Sequence, residues 1–222
     1  MTTPHLTIDL VSDVSCPWCA IGLQSLLKAR AELAPELTFE LHMQPFELNP
    51  DMAPEGESIT EHLGRKYGST PEQQAANFQA IQARGEAVGF RFATNPERRI
   101  YNTFDAHRLL HWAGLQGAEQ QLALKLALLR AYFTEGQNPS DHAVLQALAV
   151  QAGLNGDKAA QLLASGQYAD EVRRQEGFYQ RAGVSSVPAF IINHRHLISG
   201  GQPPEVFVQA LRQIAAQPQE AE

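Results

Sequence analysis

Apolar and polar positions change period twice along these 222 residues, and the changes divide the chain into three blocks. Residues 6–11 form a short apolar run suited to a strand, and from 20 to 33 the period lengthens to that of a helix. Over 37–43, Phe39 and Leu41 alternate with Glu40 and His42, the mark of a half-buried strand. Strand, helix, strand predicts a right-handed βαβ unit. A loop rich in Pro and acidic residues, 45–57, leads into a second block, about 58–182, that keeps a helical period almost throughout. Pro71 after Thr70 fits a helix start and Ser140-Asp141 an N-cap, whereas Asn95-Pro96 and Gly136-Gln137-Asn138-Pro139 break the pattern. Leu122, Leu126, Leu129 and Phe133 make one apolar stripe, and Phe104, Leu109, Leu110, Trp112 and Leu115 another; both read as bundle core, not as a cofactor groove. The third block returns to strands at 189–192 and 197–199, with His194-Arg195-His196 as a hairpin tip, and passes Gly200-Gly201 into a helix over 203–215 and a polar tail, 217–222. The pattern implies a compact α/β domain, 1–57 and 183–222, interrupted by an all-helical insertion, 58–182.

Composition narrows the partners. The formal charge of -7, with no Lys/Arg cluster, argues against a phosphate-binding surface and hence against nucleic acid. Met1 to His5 has no basic n-region, and Asp9, Ser12 and Asp13 interrupt the apolar run behind it, so no secretory signal is expected and the expected location is cytoplasmic. No segment approaches the roughly 18 consecutive apolar residues of a membrane span, so no membrane partner is expected.

The chain has two cysteines, Cys16 and Cys19, in the run Asp13-Val14-Ser15-Cys16-Pro17-Trp18-Cys19. A bridge across two intervening residues restrains almost none of the unfolded chain, so the pair reads as chemistry and not as a staple. In a reducing compartment such a dithiol is redox or metal-binding. Cys16 falls at the strand-to-helix junction, where free backbone N–H groups and the helix dipole favour a thiolate facing solvent, which makes it the attacking sulfur. Cys19, one turn further in and better shielded, suits the resolving role. Pro17 begins a helix without losing a needed N–H, and Trp18 supplies a bulky rim that limits access.

Other candidates carry less. Asp13 reads as a turn residue or cap in preference to a tuner of the thiols. His107 and His111 have a spacing zinc uses, but no Glu follows His107 and no third ligand is evident, so no metal is expected. Arg98-Arg99 reads as a solvated helix start more readily than as a clamp for an anion such as a glutathione carboxylate.

Cys16-Pro17-Trp18-Cys19 after a first strand, with Ser186-Val187-Pro188 before a later one, resembles the thioredoxin superfamily, and the helical insertion resembles its DsbA-like branch. Ser12 to Gly22, Pro45-Phe46-Glu47-Leu48-Asn49-Pro50, Asn102 to Leu109, Tyr132 to Gly136, Gly183 to Pro188 and Ser199 to Pro204 are similar to the FrnE-like oxidoreductases of that family. The resemblance implies a thioredoxin-like fold with a large helical insertion and a thiol–disulfide oxidoreductase. It implies a cis bond at Val187-Pro188 that brings the Val187 backbone beside the sulfurs, where a substrate strand could pair. It also places Asn102 and His107 near the mouth of the site as substrate contacts. No metal or organic cofactor is implied, although glutathione fits as reductant or co-substrate. The expected partners are a disulfide- or thiol-containing protein or small molecule and a recycling partner, with a homodimer left open. Kappa-class transferases and 2-hydroxychromene-2-carboxylate isomerases share the insertion pattern but place serine where Cys16 stands, which argues against a glutathione-dependent transferase or isomerase. A zinc-holding or chaperone module ranks last.

Overall fold

The computed structural model describes residues 3–34, 36–95 and 97–217; Pro96 and the tail from 218 onward lie outside them. The element order is β1 (His5–Ser12), α1 (Pro17–Leu33), β2 (Thr38–Pro45), β3 (Glu57–Ser58), α2 (Ile59–Tyr67), α3 (Pro71–Val88), β4 (Arg99–Ile100), α4 (Phe104–Gln116), α5 (Ala118–Phe133), α6 (His142–Gln151), α7 (Gly156–Leu163), α8 (Ala169–Arg181), β5 (Ala189–Ile192), β6 (His196–Ser199) and α9 (Pro204–Ala215). Four strands form one sheet in the order β2-β1-β5-β6. β1 and β2 run parallel, joined by α1, and β5 and β6 are antiparallel to their neighbours. The β5–β6 turn holds Asn193 and His194 at φ 50° and 55°, the twist that a tight hairpin requires, and the Thr7 N–H donates to Asn193 Oδ1 at 2.9 Å.

The apolar period has a direct structural outcome. Leu6, Ile8 and Leu10 of β1 bury one sheet face against Leu23, Leu26 and Leu33 of α1 and Phe207 and Leu211 of α9. A second cluster gathers Leu109, Leu110 and Ala113 of α4 with Leu145 and Ala149 of α6 and Leu162 of α7. α5 serves both: Leu122, Leu129 and Phe133 belong to the sheet-side cluster, and Leu124, Ala127 and Leu128 to the helical one. A helix apolar on nearly all sides is buried on nearly all sides. α5 also covers the open edge of β2, where the Gln121 side chain accepts from the Met43 N–H at 2.8 Å and donates to the Met43 carbonyl at 3.2 Å, in place of a neighbouring strand. Leu115, read as part of a core stripe, is exposed instead.

Candidate active site

Three segments converge at one end of the sheet because of strand direction. Ser12 lies opposite Pro45 in the parallel β1–β2 pair, so the turn 13–16 and the loop 46–48 leave side by side. β5 runs the other way with Ala189 opposite Val11, which delivers Val187 and Pro188 to the same end. Ligand sites of open α/β sheets gather there.

Cys16 is the N-cap of α1, with extended backbone at φ −93° and ψ 113°, and Pro17 occupies the first helical position. The Cys19 N–H donates to the Cys16 carbonyl at 3.1 Å, which keeps both sulfurs on the first turn, and both are free thiols. The Cys16 thiol faces the Val187 carbonyl oxygen at 3.8 Å, and the Val187–Pro188 bond is cis. Gly22 permits this approach: a Cβ there would lie 3.0 Å from the Phe190 ring and 3.2 Å from Pro188. Trp18 forms the rim, 39% exposed, and rests on Gly201, where a Cβ would lie 3.0 Å from the Trp18 carbonyl oxygen. Cys16 itself is only 4% exposed, a departure from the solvent-facing sulfur that its helix-start position suggests. Its thiol is turned toward the Val187 carbonyl, beside a rim in which Trp18 is exposed and Pro17 half-buried. Cys19 is wholly buried. Burial, then the hydrogen bond and charge of Cys16, push its thiol well above the ordinary value, with Lys125 pulling the other way.

Asp13 is wholly buried just behind this turn. It accepts from the Ser15 N–H at 3.2 Å, the Ser15 hydroxyl at 3.0 Å and the Leu48 N–H at 2.8 Å, and His107 Nε2 faces it at 3.5 Å. Burial alone raises the Asp13 pKa; the His107 imidazole, the Leu48 N–H and Thr103 outweigh it and bring the carboxyl to about 2. The turn reading of Asp13 holds, and the residue is also the centre of a buried polar group. Glu47, the next residue back from Leu48, is buried with Glu176 of α8, and Arg173 Nη1 donates to Glu47 Oε2 and, at 2.8 Å, to Glu176 Oε2. The Arg173 guanidinium lies 3.8 Å over the Phe104 ring. Each carboxylate keeps an Oε1 without a hydrogen-bond partner. Burial and the Glu176 charge push Glu47 up to about 7 against the pull of His107 and Arg173.

Cys16, Pro17, Trp18, Cys19, Val187 and Pro188 are thus brought together. His107, read as a substrate contact, is 2% exposed and reaches the turn through Asp13, so its side chain is walled off from any substrate at the mouth. Asn102 is engaged elsewhere: its Oδ1 accepts from the Phe104 N–H at 2.9 Å and its Nδ2 donates to the Pro50 carbonyl at 3.4 Å. The first ties down the start of α4, the second the loop after β2. Sequence reasoning gave no role to Glu47 or Lys125. A signal for Lys125 existed, since residues 122–129 leave α5 no polar face on which a lysine could sit.

A family model described as DSBA-like thioredoxin domain matches residues 7–212. The chain belongs to the DSBA-like family. The structure of a probable DsbA oxidoreductase from Streptomyces coelicolor, SCO1869, superposes with a TM-score of 0.90 at 34% identity, covering 98% of this chain and 93% of that one. The uncharacterized protein YwbO of Bacillus subtilis is 28% identical over 208 residues, 92% of this chain and 94% of that protein. The cytosolic disulfide reductase DsbM of Pseudomonas aeruginosa, in a structure with GSH, shares the fold at a TM-score of 0.62 and 18% identity, over 95% of this chain and 100% of that one. This DSBA-like chain therefore carries the fold and the paired cysteines of thiol–disulfide oxidoreductases. Among its described residues no helix is long and apolar enough to cross a membrane.

Proposed function

We propose that this chain is a FrnE-like thiol–disulfide oxidoreductase in which Cys16 attacks and Cys19 resolves. The observation that carries the reading is the Cys16 thiol at 3.8 Å from the Val187 carbonyl, with Cys19 behind it on the first turn of α1. A Cys16 thiolate attacks one sulfur of a substrate disulfide, the other sulfur leaves with the electron pair, and a mixed disulfide forms. Cys19 then attacks Cys16, closing the Cys16–Cys19 bond and releasing the second substrate thiolate. An external thiol, for which glutathione is the candidate, returns two electrons and reopens the pair. An extended substrate segment pairs with the Val187 backbone against Pro188, while Pro17 and Trp18 line its path, an arrangement that favours disulfides of many sequences. DsbM, described as cytosolic and solved with GSH, supports a cytoplasmic, glutathione-linked setting.

The test is insulin reduction with dithiothreitol or glutathione by wild type, Cys16→Ser and Cys19→Ser. Turnover is lost in both variants, and a trapped mixed disulfide accumulates only when Cys19 is replaced. Conjugation of an electrophile to glutathione that survives Cys16→Ser, with no disulfide exchange by wild type, would overturn the reading in favour of a glutathione transferase or isomerase.

A further inference from the structure

Resolution needs a proton acceptor, and the turn beside the sulfurs does not hold a good one. Cys19 is wholly buried, so water and hydroxide do not reach its thiol freely, and its pKa is pushed well above the ordinary value. Asp13 is the obvious neighbour, but three donors and His107 hold it as a carboxylate down to about pH 2, which makes it a weak base. His107 faces Asp13 at 3.5 Å.

Lys125 remains. It lies on α5 between the residues that enter the sheet-side core and those that enter the helical core, and it is 1% exposed. Its Nζ makes no hydrogen bond. Packing alone would be met by a leucine or methionine; an ammonium without a partner in this place is costly. Val14, in the turn before the sulfurs, belongs to the same packed cluster as Leu124 and Leu128, the residues that flank Lys125 on α5. The charges that act on its amine come from Cys19 and Cys16 of the redox turn and from Asp13 at the end of β1. Burial lowers its pKa from the lysine value while those three groups oppose the fall.

We propose, on the oxidoreductase reading above, that Lys125 is the internal base that takes the Cys19 proton during resolution and gives it back when the pair is reduced. The neutral amine accepts the proton from Cys19 Sγ, and the thiolate attacks Cys16 Sγ. The Cys16–Cys19 bond forms, the bond from Cys16 to the substrate sulfur breaks, and that sulfur departs with the electron pair and is protonated by solvent. When an external thiol opens the Cys16–Cys19 bond, Cys19 leaves as a thiolate and recovers the proton from Lys125. The substrate disulfide gains two electrons, the external thiol supplies them, and the lysine ends as it began. Lysine suits the task because burial moves its pKa readily, whereas arginine holds its proton throughout.

Single-turnover mixing with a disulfide peptide separates the two steps. In the Cys19→Ser background, adding Lys125→Met leaves mixed-disulfide formation within about twofold of its parent. With Cys19 present, Lys125→Met slows resolution at pH 7 by on the order of a hundredfold, the usual contribution of a positioned base, and the rate climbs with pH as hydroxide takes over. Lys125→Arg is equally slow. Resolution by the Met variant at the wild-type rate and pH profile, or full rescue by Arg, which would make the residue a fixed cation only, overturns the proposal. Should the variants not fold, the wild type decides, since the chain has four lysines whose 13Cε signals can be followed. One is expected to titrate below the ordinary lysine value and to shift on oxidation of the cysteines, and four ordinary, redox-insensitive titrations overturn it. Absence of any mixed disulfide in the Cys19→Ser protein would instead defeat the oxidoreductase reading itself.

Discussion

Asp13 and Glu47 are buried carboxylates at the same end of one sheet, and the N–H that binds Asp13 belongs to Leu48, the residue after Glu47. Their proton affinities nevertheless separate, Asp13 falling to about 2 and Glu47 rising to about 7. Burial pushes both upward. What differs is the company: Asp13 faces three donors and an imidazole, whereas Glu47 shares one guanidinium with a second carboxylate and keeps an oxygen without a donor. Donors outnumbering acceptors fix a charge, and acceptors outnumbering donors hold a proton. Beside the sulfurs the protein therefore has a permanent anion at Asp13, with a titrating carboxyl one loop away.

Breaking the Asp13 side carries the largest expected effect. Asp13→Ala leaves the Ser15 and Leu48 donors buried without their acceptor and removes the carboxylate that His107 faces, and we expect a loss of about 4 kcal/mol in urea unfolding at pH 7. The pH dependence has a definite sign. The folded value of about 2 lies below the ordinary aspartate value of 3.8, so Asp13 contributes stability above pH 3.8 that is lost as pH falls through 2. The gap between wild type and variant should accordingly narrow at the acid end, and a gap constant from pH 7 to pH 2 would contradict the assignment.

Glu47 works in the opposite direction. Its folded value of about 7 exceeds the ordinary glutamate value of 4.5, so the folded chain holds that proton more tightly, and stability present below pH 4.5 is lost as pH rises through 7. By the free energy of one pKa unit, the loss is about 3 kcal/mol. Glu47→Gln removes the titration, so its unfolding free energy should be flat across that window while the wild type declines. Parallel pH profiles for the two proteins would show that the Glu47–Glu176 pair does not hold a proton.

The contrast explains what was legible in the sequence. The strand-helix-strand opening, the late strand pair and the cysteine turn follow from local period and from residues whose chemistry is visible one at a time. α1 begins at Pro17, three residues before the apolar period does, because proline at the first helical position extends a helix that periodicity alone starts at Ala20. β3 and β4, two residues each, are too short to show any period and form only because Glu57 meets Ile100 across the chain. Asp13 was readable as a turn residue because its Ser15 bonds are local, but its Leu48 and His107 partners lie far away in sequence. Glu47, with its partners on α8, and Lys125, on which the charges of the redox turn act, depend entirely on tertiary placement. His107 could be found from its motif, yet its burial, which removes it from substrate, could not.

A third carboxylate sharpens the comparison with the smallest effect. Glu57 is held at about 2, as low as Asp13, by Arg65 and then by His62, with the Arg65 Nη1 to Glu57 Oε2 distance at 2.6 Å. Arg65 is mostly exposed, so this pair works through a high-dielectric surface that salt screens, whereas the donors of Asp13 are beyond the reach of mobile ions. Carboxyl 13C titrations at low salt and at about 0.5 M NaCl, where the screening length is only a few ångström, should move the Glu57 pKa upward and leave that of Asp13 where it was. Glu57→Gln should change unfolding stability less than either buried substitution, because water replaces what the ion pair supplied. Equal salt shifts at the two sites would mean that solvent reaches Asp13, and the fixed anion beside the sulfurs would then be screened like any surface charge.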